Sequence, residues 1–380
     1  MKYTFRTFFC GAGDCIFLML EEGDNILKIM VDCGKYTEEI DNFIRNDLKS
    51  KIDYLIVTHI DNDHISGLTT MLTKNYELEI EHIIYNCYQR VTNKREQWTN
   101  KMKENVNRLY GQLPIVIDMI NQNINEKKAV TLAECILQKK EWAKAWQREY
   151  ITDKSPMIQL TNNMGRILFL SPSQVALDKL DEKYREDYDK EETIYEALMK
   201  IAQLNEGEET KEEDINDCTI NEQTLKQYAY HTLSKMDDNN IASIAFIWEH
   251  QEHRILFMGD ADPIQVSRAI EKVYEDETKP VFFDLIKVSH HGSAHSTSME
   301  LMKMADSKKF FFTGGGKNRP SLEALGRIIT SPLPNGIINR DIRYNRPNEN
   351  LKKLSELSVE EKDSLNIRVN DNKNSYEVSY

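Results

Sequence analysis

The segment DYLIVTH (53–59) is apolar through its centre and runs straight into THIDNDHISGL (58–68). A strand that is apolar on both alternating faces has to be covered on both sides. This predicts a strand inside a layered structure. Two histidines and two aspartates follow within six positions: His59, Asp61, Asp63 and His64. A buried strand is rigid, so side chains at its end are held in fixed geometry. Neutral imidazoles and carboxylates that converge with an open position are what divalent-metal catalysis needs. Taken alone, the cluster reads equally well as an Asp/Asn-rich turn.

Two further stretches decide between these readings. The run HRILFMGD ends on Asp260, and FFDLIKVSHH ends on His290 and His291. Three apolar runs that each end in ligand-type side chains predict a metal site.

Other stretches supply the rest of the fold. Residues 3–9 and 15–20 flank GAGD and predict a β-hairpin. ILKIMVDCG (26–34), EIEHIIYNCY (79–88), MGRILFLSPS (164–173), IASIAFIWEH (241–250) and KFFFTGGG (309–316) predict further strands. Two weaker ones are expected over 336–344 and 365–379. ISGLTTML and PIQVSRAIEKVYE predict helices. Strands therefore group at both ends of the chain with helices between them. This favours two packed sheets covered by helices. The expected organisation is one domain over residues 1–380, with a helical basic insertion at 90–150 and an acidic one at 178–235.

Charge is uneven along the chain. The net is −13, and residues 178–217 alone hold sixteen acidic and six basic side chains, a local −10. Residues 90–149 hold twelve basic against seven acidic side chains, together with Trp98, Trp142 and Trp146. Overall acidity argues against coating DNA, but it leaves room for one basic face. Aromatics among Lys and Arg suit single strands. At helical spacing, with Trp142 and Trp146 four apart, they more often form the core of an insertion. Six cysteines without a CxxC pair predict reduced, buried thiols and a cytoplasmic protein. No apolar stretch approaches the roughly 18–20 residues of a membrane span. Arg6 and Asp14 interrupt the apolar N-terminal run, which is therefore expected to be strand and not a signal sequence.

The order GAGDC, VDCG, THIDNDHISG, LSPS, DDNNIASIAF, FMGDA, KVSHHGS and GGGKNRPS resembles the metallo-β-lactamase superfamily. It is most similar to the soluble hydrolase domain of ComEC-type DNA-internalisation competence proteins. The resemblance covers most of 3–89 and 150–330. It implies an αββα sandwich of the α/β class and a metal-dependent hydrolase. The superfamily's HxHxDH pattern falls on His59, Asp61, Asp63 and His64, with Asp61 in place of a histidine. Asp260 matches the carboxylate that usually bridges two metals. One of His290 and His291 matches the last ligand: His291 is favoured, with His290 facing substrate. Asp32 matches an aspartate that supports the metal loop. Two departures stand out. Leu170-Ser171-Pro172 lacks a histidine that many members carry, and Arg319-Pro320 stands where the competence branch often shows His-Pro.

The expected activity is hydrolysis of phosphodiester bonds by metal-activated water, with Asp63, Asp260 and His290 as catalytic groups. One or two divalent ions are expected. The oxygen-rich set places Mn²⁺ ahead of Zn²⁺. His295, Ser293 and Asn318 are candidate substrate contacts. GGGKN (314–318) lacks P-loop spacing, so it predicts a tight turn and no nucleotide triphosphatase. Asn240 and Ser243 read more simply as a strand-entry turn. A nucleic acid or nucleotide is the expected partner, with a protein partner through the insertions a further option and no membrane. Two other readings remain open: an esterase for small phosphoesters or lactones, and a non-enzymatic, metal-containing binding protein.

Overall fold

Alternation along the central strands decides the layers. In the strand Asn25–Val31, Ile29 and Val31 face one core and Met30 faces another. In Lys51–Val57, Tyr54 and Ile56 face the first core and Leu55 and Val57 the second. Both faces are apolar, so both are covered. The computed structural model describes residues 1–87, 132–133, 135–147, 149–189, 219–233, 235–316, 319–334, 336–371 and 375–379.

Among these residues, one sheet runs Ser375–Ser379, Lys2–Phe8, Ile16–Glu22, Asn25–Val31, Lys51–Val57, Glu79–Tyr85, Trp146–Gln147. The other runs Ile367–Asp371, Arg340–Tyr344, Lys309–Phe312, Leu285–Lys287, His253–Phe257, Phe246–His250, Arg166–Phe169, Ile158–Gln159. Between the sheets, Phe5, Ile29 and Ile56 share a core with Phe246, Trp248, Phe257 and Phe311. Outside the first sheet, Met30 and Leu55 share a core with Ile65, Leu68 and Leu72 of the helix Asn62–Lys74. Outside the second, Leu256, Ile286 and Phe310 pack with Val266 and Ile270 of Pro263–Val273 and with Leu325 and Ile328 of Leu322–Thr330. Each such side chain contributes about 1.5–3 kcal/mol on burial. The result is the expected mixed α/β sandwich, helix–sheet–sheet–helix.

Pairing polarity places the site. Lys51–Val57 is parallel to both neighbours, and His253–Phe257, Leu285–Lys287 and Lys309–Phe312 are parallel to one another. The carboxyl ends of such strands gather at one edge, where ligand sites form. His59 follows the first of these strands, and Asp260, His290 and Thr313 follow the other three.

The structure departs from the expected elements in three places. FFDLIKVSHH is two strands: Val281–Phe283 pairs with Ala305–Ser307 in a separate short ladder, and Leu285–Lys287 enters the main sheet. Asp284 sits at the break. Its Oδ2 accepts from Tyr3 Oη (3.0 Å) and lies 2.9 Å from His253 Nδ1. The 365–379 stretch also divides, Ile367–Asp371 lying at the edge of one sheet and Ser375–Ser379 at the edge of the other. Trp142 and Trp146 do not share a helix. Lys140–Ala145 is helical, and Trp146 leaves it to pair in parallel with Ile83. Both indoles are buried and donate Nε1–H to backbone carbonyls, Trp142 to Leu78 and Trp146 to Tyr85. They are core residues and are not free to stack on bases. Trp98 and most of the basic 90–150 stretch lie outside the described residues, as do most of the acidic 178–235 stretch and Asn318. Cys10, Cys15 and Cys33 are buried free thiols, and Cys87 and Cys135 are also buried. No helix among the described residues is long and apolar enough to cross a membrane.

Candidate metal centre

The ends of the parallel strands bring the ligand-type residues together. His59, His64 and Asp260 each offer one atom within 4.8 Å of the others, and so do Asp63, His64 and His291. The two groups share His64. The first sheet and its following helix supply His59, Asp63 and His64, and the second sheet supplies Asp260 and His291.

Hydrogen bonds fix which nitrogen each imidazole presents. Asp32 accepts from Thr58 N (2.8 Å) and Thr58 Oγ1 (2.6 Å), and its Oδ2 lies 2.8 Å from His64 Nδ1. Thr58 Oγ1 lies 3.0 Å from His59 Nδ1. The carbonyl of Thr313 takes the Nδ1–H of His291 at 2.7 Å. Each ring therefore carries its proton on Nδ1 and turns Nε2 inward. Outer partners of this kind orient metal-binding histidines and fix their tautomer.

The inward atoms are left unsatisfied. His59 Nε2, His64 Nε2, His291 Nε2 and Asp260 Oδ1 are buried, and none has a hydrogen-bond partner among the described residues. Native proteins leave few buried polar atoms unsatisfied, because each costs about 1–3 kcal/mol. Four in one cluster fit a divalent cation. Charge argues the same way. Asp14, Asp32 and Asp260 are buried at or behind the cluster. The buried ammonium among them is Lys287, which pairs with Asp14 and donates to the Gly259 carbonyl at 3.1 Å. Burial opposes a charge on His64, but Asp260, Asp32 and Asp63 outweigh it and raise its pKa well above the usual histidine range. Burial likewise opposes a charge on His291, yet Asp14 and Asp63 raise its pKa to about 9. Burial alone would raise the pKa of Asp260, but His64, His290 and His59 hold it well below the usual range. This pocket draws in positive charge.

His290 is placed differently. Arg319 Nη1 donates to its Nε2 at 2.7 Å, so that lone pair is already used. Its Nδ1 lies 3.1 Å from His295 Nε2 and 3.2 Å from Ser293 Oγ. Burial first, then Arg319, His291 and His295, press its pKa to about 3 against the pull of Asp260. His291 therefore joins the ligand cluster, while His290 belongs with His295, Ser293 and Arg319 beside it. Asp61 stays at the edge: Oδ1 accepts from Asn239 Nδ2 at 2.9 Å, and Oδ2 is 3.7 Å from His59 Nε2.

The backbone is shaped to fit. His290, His291 and Asp32 have φ of 47°, 54° and 56°, left-handed values that cost non-glycine residues of the order of 1–3 kcal/mol. Gly13 and Gly34 press against the metal loop. A Cβ on Gly13 would lie 1.4 Å from the Asp63 carbonyl oxygen, and one on Gly34 2.0 Å from it. This explains GAGD and VDCG: both turns seat the backbone of Asp63. Ser171, where a histidine was expected and absent, is a structural tie. Its Oγ donates to the Ser243 carbonyl (2.7 Å) and accepts from Ala245 N (2.9 Å).

Several contacts were missed in the sequence. Asp14 reaches Lys287 and lies 3.5 Å from His291 Nδ1. Asn239 binds Asp61, and the Asn240 carboxamide lies 3.4 Å from His290 Nδ1. Ser243 Oγ accepts from Asp260 N at 3.3 Å. DDNNIAS is thus more than a strand-entry turn, and its doubled asparagine after an acidic pair was the available signal.

The sequence profile of the metallo-beta-lactamase superfamily matches residues 14–83, the stretch that holds Asp14, Asp32 and the 59–64 cluster. No curated protein matches the chain. Among solved structures it is similar to a CmlA beta-hydroxylase mutant, with TM-score 0.40 and 8% identity over 100% of this chain and 54% of that one. It is also similar to the metallo-beta-lactamase fold protein YhfI from Bacillus subtilis, with TM-score 0.39 and 10% identity over 100% of both chains. A long form RNase Z from yeast gives TM-score 0.35 and 14% identity over 90% of this chain and 40% of that one. The chain thus spans about half the length of the hydroxylase and less of the RNase Z. The profile match is confined to residues 14–83, within the first sheet and the helix that follows its Lys51–Val57 strand.

Proposed function

We propose that this protein is a divalent-metal-dependent hydrolase of phosphodiester bonds. The observation that carries the reading is the convergence of three orphaned imidazole nitrogens and one orphaned carboxylate oxygen from two sheets. His59, His64, His291, Asp63 and Asp260 would hold the ion. A divalent ion supplies Lewis-acid activation of water and stabilises charge that develops on a phosphoryl group. The protein's own part is to orient and to exclude water. Asp32 and Thr58 lock two rings, Thr313 locks a third, and Gly13 and Gly34 seat the loop. Asp61, next to His59, adds a hard oxygen where the superfamily pattern has a histidine, which favours Mn²⁺ over Zn²⁺. The motif order shared with the competence-type branch, and the basic 90–149 stretch, favour a nucleic acid or nucleotide.

Hydrolysis of bis-p-nitrophenyl phosphate tests this reading. Turnover is expected with Mn²⁺, to be lost on metal stripping and in His64→Ala, and to be lower with Zn²⁺. A protein inert with both ions refutes the hydrolase reading, and equal or faster turnover with zinc refutes the metal preference.

A further inference from the structure

We propose that Arg319 is the substrate-anion clamp of this centre: anchored on His290, its guanidinium receives the non-bridging oxygens of a phosphodiester on the Asp260 side. This rests on the hydrolase reading above and names the group that would select an anionic substrate.

Position comes first. Arg319 Nη1 donates to His290 Nε2 at 2.7 Å, and this imidazole nitrogen of His290 lies 3.6 Å from Asp260 Oδ2. The guanidinium is thus one side chain away from a proposed ligand. Charge comes next. Among the described residues, the Arg319 side chain makes no ion pair, and its hydrogen bond is to an uncharged acceptor. Lys287 behind the cluster is neutralised by Asp14, whereas no described carboxylate neutralises Arg319. A guanidinium has five N–H donors in a planar fork, and one is used here. The fork matches two oxygens of one phosphate, which an ammonium does not.

The perch is built and not incidental. His290 is buried, and its Nδ1 is held between His295 and Ser293. The turn bearing Arg319 is pressed onto the histidine turn: a Cβ on Gly292 would lie 2.6 Å from Pro320 Cβ, and Ser321 N donates to the Gly292 carbonyl at 2.8 Å. From the other side, Asn348 and Asn350 donate to the Pro320 carbonyl at 3.1 and 3.0 Å. A half-buried arginine fixed this way on a histidine beside the proposed ligands, with no counter-ion among the described residues, is arranged for an incoming anion.

The test uses the full-length, metal-loaded protein and two variants, Arg319→Met and Arg319→Lys. Three quantities are read: the Kd of inorganic phosphate by calorimetry, KM and kcat for bis-p-nitrophenyl phosphate, and the same constants for the neutral ester p-nitrophenyl acetate. In Arg319→Met, Kd and diester KM should rise about tenfold or more, the loss of one charge-assisted hydrogen bond. Metal content by elemental analysis should be unchanged, and the neutral ester should shift less than about twofold. Arg319→Lys should recover part of the loss; it also carries the test if the methionine variant fails to fold. Unchanged phosphate Kd and diester KM overturn the clamp, as does an equal loss on the neutral ester. Arg319-dependent phosphate binding in a protein that cleaves no diester would keep the clamp and refute the hydrolase reading.

Discussion

His64 belongs to both ligand groups, and a single carboxylate decides how it points. Asp32 receives the backbone N–H and hydroxyl of Thr58 and faces His64 Nδ1, so it orients His64 directly and His59 through Thr58. Asp32→Asn leaves one acceptor oxygen for three donors that now share two, and it removes the negative charge that His64 Nδ1 faces. The hold on the His64 ring and on its tautomer weakens. Mn²⁺ affinity should therefore fall about 10–100-fold, as it does when outer partners of metal-bound histidines are removed. Calorimetric titration reads this, and an unchanged Kd would leave Asp32 with a purely structural part. That His59, Asp63, His64, Asp260 and His291 would gather was legible in the sequence because all five stand shortly after the ends of apolar runs. Asp14, Lys287 and Asn239 were not. Asn239 meets a partner 178 residues away, and the turn GAGD carries no sign that its aspartate will bury against an ammonium from another sheet.

Strands were the easier elements to read, because period-2 burial on a two-sided sheet leaves few alternatives. The misreadings fall where the chain changes partner. FFDLIKVSHH is apolar throughout, and only its contacts reveal that it serves two ladders broken at Asp284. KEWAKAWQ has helical spacing, yet the helix ends at Ala145 because Trp146 gains a ladder with Ile83 and an indole hydrogen bond to the Tyr85 carbonyl. Tertiary pairing overrode local propensity there. The consequence can be tested. Trp142 is buried, with its Nε1–H on the Leu78 carbonyl. Trp142→Ala should cost about 3–5 kcal/mol of stability in urea or guanidinium unfolding, the range for a buried tryptophan. A variant of native stability that has lost only oligonucleotide affinity would instead restore the base-stacking role.

At the scale of the whole molecule, the centre joins two halves of a sandwich. His59, Asp63 and His64 come from one sheet and its helix, and Asp260 and His291 from the other. The sheets already share an apolar core, but at this edge they meet through carboxylates and imidazoles whose inward atoms are unsatisfied. A cation bound here binds the folded chain alone, since the unfolded chain separates these groups by up to some 230 residues. Linkage then makes the ion a stabiliser: at a free concentration one hundred times Kd it adds about 2.7 kcal/mol. Mn²⁺ should therefore raise the Tm by several degrees, and a chelator should reverse the rise. His64→Ala should abolish the increment. The discriminating variant is Asp260→Asn, which keeps the volume and removes the second sheet's carboxylate. If the ion bridges the sheets, most of the increment disappears in this variant as well. If Asp260→Asn melts with the full Mn²⁺ increment, the ion rests on the 59–64 loop alone and the two-sheet centre is wrong. Melting curves with and without chelator, at one protein concentration and one ionic strength, separate the outcomes. They do so whether or not any substrate has been found, because the readout is the fold and not the reaction.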